Sequence, residues 1–504
     1  MDNQNVYELF ESRFPADPSR PVVETGEGAV HSYADLRSVS ARYAAHLTAL
    51  GVRKGDRVAV QVEKSPEALF LYLACLRAGF IYLPLNTAYL ENELDYFLAD
   101  AEPAAVVCAP AGRELMEKLA GKRGVAHVLT LDAAGGGTLA EGSAGAADRF
   151  DTAPCERNDT AVILYTSGTT GRPKGAMISH GNLAANGLAL HQAWGWQPGD
   201  VLLHALPIFH IHGLFVACHC VLLNGTSMLF LPKFQVTAVR RLLPRATVMM
   251  GVPTFYTRLL GDPEFGRHDC RNMRLFTSGS APLREQTFEE FRARTGHTIL
   301  ERYGMTETGM NTSNPLDGER IAGTVGLPLP GVAVRVVDDG DRPVATGTVG
   351  NLQVRGDNVF SGYWRLPEKT AEEFTPDGWF RTGDQGRIDD NGYVSIVGRA
   401  KDMVITGGYN VYPKEVERCI DELDGVIESA VIGLPHADYG EMVAAVVVPA
   451  AGADVDEAGI LAALKQQLAG YKVPKRVFFA DALPRNTMGK VQKNMLRERF
   501  GPQA

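Results

Sequence analysis

Residues 161–175 read AVILYTSGTTGRPKG, an apolar β-branched run that stops at eleven residues holding three glycines, four Ser/Thr hydroxyls and one lysine. A short continuous apolar run of this kind predicts a strand buried on both faces, which requires helices to cover its sheet. The segment after it offers more than a plain turn. Gly168, Gly171 and Gly175 allow φ > 0 and close backbone approach. Thr166, Ser167, Thr169 and Thr170 place hydroxyls beside exposed N–H groups, and Lys174 adds a positive charge. That combination suits the oxygens of nucleotide phosphates. A P-loop would need Gly-Lys-Ser/Thr at its end. Here Pro173 precedes the lysine and Gly175 follows it, so phosphates would be met by a different geometry. The plain alternative is a Ser/Thr-rich hairpin turn.

The same alternation runs through the first two-thirds of the chain. RVAVQV (57–62) predicts a buried strand; Ser65 then caps SPEALFLYLACLRAG, a helix predicted to end at Gly79. AAVVCA (104–109) and VAHVLTL (125–131) are further strands. Strand–helix–strand repetition implies parallel sheets covered by helices. Ala133–Ala147, rich in Gly, Ala and Ser, reads as a surface loop. Beyond about residue 325, GVAVRVVDD, GNLQVRG and GYVSIVG predict short antiparallel strands. The last hundred residues predict a separate α+β domain. A helix follows Tyr412-Pro413, SAVIGLP and AAVVVP are strands, and GILAALKQQLA is a second helix. The fold class is therefore α/β. A large N-terminal domain of stacked, helix-covered β-sheets plus a β-rich unit spans 1–398, a hinge 399–402, and a small mobile α+β lid 403–504.

At 504 residues the chain can bury a large core without disulfide or metal staples. Lys+Arg number 50 against 59 Asp+Glu, a net −9 that argues against a nucleic-acid binder. From Lys465 to Ala504 nine basic residues stand against Asp481 and Glu498. That run is either a solvated basic face or a surface that meets a phosphate-rich small molecule. The seven cysteines show no CxxC and no zinc spacing. Cys218-His219-Cys220 lies in an apolar run and reads as core packing, and a reducing, cytoplasmic setting is expected. Positions 201–232 lack Asp, Glu, Lys and Arg, but His, Pro and Gly break the stretch, so no membrane span is expected.

Further motifs follow in order: LPIFHIHG (206–213), SGSAPL (278–283), ERYGMTET (301–308), WFRTGD (379–384), GRAKDMVITGGYNVYPKEVE (398–417) and PRNTMGKVQK (484–493). With YTSGTTGRPKG they make the whole chain resemble the adenylate-forming superfamily of acyl-CoA synthetases, peptide-synthetase adenylation domains and beetle luciferases. VMMGVPTFYTRLL (248–260) and LPRNTMGKVQKN (483–494) resemble its malonate-activating branch most.

The resemblance implies two steps. A carboxylate attacks the α-phosphorus of ATP and expels pyrophosphate; the thiol of CoA then attacks the acyl-adenylate and expels AMP. Bringing an anion onto a polyanion calls for charge neutralisation and alignment. By the resemblance, Glu307 binds Mg²⁺, which suits an ion that takes few carboxylates plus phosphate oxygens. Thr306 meets the α-phosphate. Asp384 accepts the ribose hydroxyls, with Arg399 on the other side. Ser280, Ala281 and Pro282 form the adenine-side strip, with Tyr303 stacking on the base; Glu301 and Arg302 are grouped with the nucleotide. Lys490 serves adenylation alone, Lys401 is the hinge, and Gly407 and Gly408 line the path for CoA.

For the acid, Arg258 in FYTRLL is expected to face the pocket. A buried arginine without an anion is costly, and a second substrate carboxylate would satisfy it. His210 is the other candidate, while His212 reads as pocket wall. The pair suits a short dicarboxylate, malonate. Methylmalonate or another short acid, and a carrier-protein thiol in place of CoA, stay open as alternatives, as does pairing of Arg258 with a protein carboxylate.

Overall fold

The computed structural model describes residues 3–167, 173–280, 283, 285–399, 404–411, 413–484 and 491–501. It divides into two units. The first comprises 1–87, 97–164 and 175–397; the second comprises 88–96, 165–174 and 398–504.

The first unit is built on two large sheets. In one, seven strands run in the order Gly362–Tyr363, Pro173–Ser179, Thr160–Ser167, Ile81–Pro84, Arg57–Gln61, Ala105–Cys108 and His127–Thr130. The four pairs from Thr160–Ser167 to His127–Thr130 are parallel, as the alternation requires. Ser65 caps the helix Pro66–Ala78 by accepting from the Ala68 N–H, and Gly79 ends it at φ 70°. Twelve of that helix's thirteen residues are buried, so it is a core helix rather than an amphipathic cover.

The second large sheet has nine strands, in the order Leu327–Pro328, Gly309–Ser313, Leu300–Met305, Leu275–Ser278, Val248–Gly251, Val201–His204, Ser227–Phe230, Pro21–Thr25 and Val30–Ser32. Its centre is parallel and its edges antiparallel. The uncharged stretch 201–232 is interior to this unit, broken into Val201–His204, a wide π-type helix His212–Cys218 and Ser227–Phe230. Cys218, His219 and Cys220 are all buried, and His219 is tied through Nε2 to the Tyr72 hydroxyl at 2.8 Å. All seven cysteines are free and buried. The β-rich unit is a four-stranded sheet, Val332–Val337, Gly350–Gly356, Phe380–Ile388 and Val394–Arg399.

In the second unit, Val426–His436 and Gly440–Pro449 form a long antiparallel pair, and Arg476–Phe479 joins in parallel. Helices Pro413–Asp421 and Glu457–Lys465 accompany them.

Two expectations are corrected. Ala133–Ala147 holds a short helix, Thr138–Ser143, with Leu139 buried. Thr130 and Thr138 exchange N–H to hydroxyl bonds at 2.9 Å, and Gly137 packs where a Cβ would lie 2.5 Å from the Thr130 carbonyl. The basic tail is an open basic face only in part, with Lys475, Arg476 and Arg499 exposed. Lys472 is buried between Glu93 and Glu415 at 2.7 Å each, Lys493 meets Glu417 at 2.6 Å, and Arg476 meets Glu457 at 3.8 Å. The tail also ends in an unforeseen helix, Lys493–Phe500, whose Phe500 stacks on Phe478.

Candidate active site

ERYGMTET forms a hairpin. Leu300–Met305 pairs antiparallel with Gly309–Ser313, with a bulge between Tyr303 and Gly304. A Cβ on Gly304 would lie 2.1 Å from the Gly309 carbonyl, so the close approach requires glycine there. The turn carries Thr306, half-buried, and Glu307, buried. Three long-range contacts fix it. Tyr363 donates its hydroxyl to Glu307 Oε1 at 3.0 Å. Asn358 donates to the Thr308 carbonyl at 2.7 Å and to Asn311 Oδ1 at 3.1 Å. Asn186 both donates to the Met310 carbonyl and accepts from its N–H. Tyr303 donates to Asp384 Oδ2 at 2.5 Å, so the stacking and ribose candidates are joined. Asp384, 2 % exposed, is further set by the Thr382 hydroxyl, which accepts from its N–H.

Arg302 on this hairpin belongs to a different cluster of buried polar side chains. It is 3 % exposed, and its Nε and Nη2 have no hydrogen-bond partner among the described residues. Burial pulls its guanidinium pKa down to about 10. It lies against Gly279, where a Cβ would sit 2.4 Å from Nη1. Ser280 follows at φ 70°, a left-handed conformation uncommon outside glycine, and its Oγ is 3.2 Å from His212 Nδ1. His212 also donates its backbone N–H to His210 Nδ1 at 3.4 Å. Burial, and then the nearby Arg302 charge, lower His210 to about 4 and His212 well below the usual histidine range. Both rings are therefore neutral near pH 7. The arrangement is one fixed cation with two neutral imidazoles and a hydroxyl, a set suited to a carboxylate. Beside it, Glu301 accepts from the Leu283 N–H at 3.0 Å, and burial raises its carboxyl to about 7.

The remaining expected residues distribute as follows. Thr166 and Ser167 close the strand Thr160–Ser167; Lys174 is buried in Pro173–Ser179. Arg399 ends the strand Val394–Arg399. Gly407 and Gly408, at φ 57° and 82°, form a two-residue turn between Val404–Thr406 and Tyr409–Val411. Two consecutive positive φ values are what a type I′ hairpin turn demands, so this glycine pair has a local backbone reason. Gly168, Thr169, Thr170, Gly171, Ala281, Pro282, Lys401 and Lys490 lie outside the described residues.

Arg258 is a correction. It is exposed on the helix Pro253–Leu260, whose buried residues are Phe255, Tyr256, Leu259 and Leu260. The argument that it is a buried cation in need of an anion does not apply to it. That argument applies to Arg302, which the sequence reading had grouped with the nucleotide.

The fold and this paired site define an adenylate-forming enzyme, and the chain belongs to the AMP-binding enzyme family. Residues 10–364 match the AMP-binding enzyme model and 415–490 the AMP-binding enzyme C-terminal domain. Among solved structures it is similar to ATP-bound MatB from Rhodopseudomonas palustris, 56 % identical over 99 % of each chain, TM-score 0.79. It is also similar to a malonyl-CoA ligase in a ternary product complex with methylmalonyl-CoA and AMP, 36 % identical, covering 95 % of this chain and 100 % of that one, TM-score 0.82. A mitochondrial malonate–CoA ligase of Mus musculus is 37 % identical, over 94 % of this chain and 87 % of the relative. Among the described residues, no helix is long and apolar enough to cross a membrane.

Proposed function

We propose that this protein is an AMP-forming ligase that joins malonate to coenzyme A through a malonyl-adenylate, releasing pyrophosphate and then AMP. The observation that carries the choice of acid is Arg302, a buried guanidinium whose Nε and Nη2 are unpartnered among the described residues, beside neutral His210 and His212. A monocarboxylate activated at the phosphate would leave that cation bare. A dicarboxylate can present one end to ATP and the other to Arg302 and Ser280. The similar proteins named for malonate support the same reading. Arg258, exposed on its helix, is a second candidate for that carboxylate in this reading.

On the nucleotide side, this reading gives Asp384 to the ribose hydroxyls and Tyr303 to the base. Glu307 and Thr306 face the phosphates in this reading. Glu307 fits an Mg²⁺ ion: it is a single buried carboxylate held by a tyrosine hydroxyl, matching an ion that takes few protein ligands plus phosphate oxygens. When bound, Mg²⁺ neutralises phosphate charge. The glycine-rich loop with Lys174, the lid lysine Lys490, the hinge at Lys401 and the Gly407-Gly408 turn complete the reading as phosphate loop, adenylation cation, pivot and CoA path. Seven free, buried cysteines suit a reducing compartment such as the cytoplasm.

A panel of short mono- and dicarboxylates with ATP, Mg²⁺ and CoA, scored for pyrophosphate and thioester, tests the proposal. Malonate should exceed propionate and butyrate by orders of magnitude, because a site that leaves a buried polar group unpaired rejects by ~10⁴–10⁵. Equal rates for malonate and butyrate defeat it. Methylmalonate adds one methyl, worth only ~1–3 kcal/mol, and the complex with methylmalonyl-CoA keeps it as a second substrate. Turnover with a carrier protein but not with free CoA would reassign the acceptor.

A further inference from the structure

Behind the His210–His212 segment lies a charge that the proposed chemistry leaves unused. Lys64 sits in the turn between the strand Arg57–Gln61 and the helix Pro66–Ala78. Its Nζ donates to the His204 carbonyl at 3.0 Å, lies 2.8 Å from His204 Nδ1, and rests 4.1 Å from the centre of the Phe230 ring. Two acceptors and an aromatic face thus surround it, and burial lowers its pKa well below the usual lysine range. His204 ends the strand Val201–His204 and is 1 % exposed.

The contact fixes the imidazole. The Gly213 carbonyl beside Nε2 can only accept, so on the neutral ring the proton sits on Nε2 and Nδ1 accepts from the lysine amine. From there Nε2 donates to the Gly213 carbonyl at 2.9 Å, with Cys218 Sγ 3.4 Å away. Gly213 is the residue after His212. It is packed so closely that a Cβ would fall 1.9 Å from the Pro207 carbonyl, and Leu214 donates its N–H back to the His210 carbonyl at 3.1 Å. The segment 207–214 is thus folded on itself and anchored at Gly213, and a π-type helix starts at His212, a form frequent at functional sites. His212 in turn reaches Ser280, next to Gly279, which lies against Arg302. A continuous line of contacts runs from Lys64 through His204 and Gly213 to the carboxylate pocket.

We propose that Lys64 and His204 are positioning residues for the acid: they hold the His210–Gly213 segment in register with Ser280 and Arg302, and so set the affinity for the substrate's second carboxylate without touching it. This deepens the proposed activity and rests on it. Lys64→Met removes the donors while keeping the stem's volume, and His204→Leu removes the relay. His204→Gln keeps one acceptor and one donor at similar reach.

KM for malonate and for ATP, kcat for pyrophosphate release, and melting temperature are measured for each. Lys64→Met and His204→Leu should raise the malonate KM severalfold, up to about tenfold, as expected for the loss of one buried hydrogen bond, with the ATP KM within about twofold. His204→Gln should recover most of the loss. A malonate KM unchanged in Lys64→Met overturns the proposal. So does a parallel rise of both KM values, or a His204→Gln no better than His204→Leu. If His204→Leu fails to fold, Lys64→Met and His204→Gln decide. A wild type that ignores malonate overturns the substrate reading instead; the variants are then scored on the acid it does use, and the positioning role stands or falls on that KM.

Discussion

Arg302 sets folding and binding against each other. A guanidinium 3 % exposed, with Nε and Nη2 unpartnered among the described residues, costs the folded state desolvation free energy that Glu301, itself raised to about 7, returns only in part. Arg302→Met should therefore leave the melting temperature of the ligand-free protein unchanged or raised, while kcat/KM for malonate falls by ~10³ or more and that for butyrate falls far less. A drop in melting temperature together with equal losses for both acids would show that Arg302 is structural. Lys490→Ala separates the half-reactions: pyrophosphate release from ATP should nearly vanish, while supplied malonyl-adenylate still reacts with CoA. Comparable loss of both steps would remove Lys490 from its assigned role. The exposure of Arg258 follows from helix geometry at this scale. Buried Phe255, Tyr256, Leu259 and Leu260 define one side of a 3.6-residue helix, and position 258 falls about 130° from the centre of that side. The periodicity was enough to exclude Arg258 from the buried face.

At the level of elements, short β-branched runs and helix caps were legible, because each is local. Ser65 and Gly79 bound their helix as the sequence implies, and the strands at 57–61, 105–108 and 127–130 fall inside the predicted runs. YGMTET stood out as a motif, and it forms the tip of a hairpin. What holds it was not legible: Asn186, Asn358 and Tyr363 come from other parts of the chain, and single polar residues in loops carry no periodic signal. Likewise, the acids that pair with Lys472 and Lys493 sit in other segments, so counting charge along the tail could not reveal them. The hairpin supplies its own test. Asn358→Ala takes the donor from the Thr308 carbonyl and Asn311, at a cost of ~1–3 kcal/mol for buried groups left unpaired. A lower urea midpoint and a raised Mg²⁺ requirement are expected together, since the same turn carries Glu307. A lowered midpoint with an unchanged Mg²⁺ requirement would separate the turn from the metal.

Taken over the whole molecule, buried histidines make stability depend on acidity. Seven of twelve are held below the ordinary histidine pKa, with burial the leading cause in each: His46, His180, His204, His210, His212, His219 and His297. Such a group is neutral when folded and takes a proton when unfolded at any pH between its folded value and about 6.5. Its share of stability is thus full above that range and is lost as pH falls through it. Raised carboxyls act oppositely, binding a proton when folded and adding stability as pH falls; these are Glu93, Glu301 and Glu441. Seven groups against three leave net proton uptake on unfolding, and each net proton contributes a slope of about 1.4 kcal/mol per pH unit. The urea midpoint should therefore drop steadily from about pH 6.5 to 5.5, where ordinary carboxylates are still almost wholly ionised. His219, lowered to about 3 and packed against Tyr72 and Phe10, is the cleanest probe because it has no part in the proposed chemistry. His219→Gln cannot be protonated, so its midpoint should lose less over that interval than wild type does, even if it starts lower. A flat wild-type profile, or a variant that tracks it in parallel, would mean that these rings are already charged in the folded protein, and the neutral imidazoles of the acid pocket would then lose their physical basis as well.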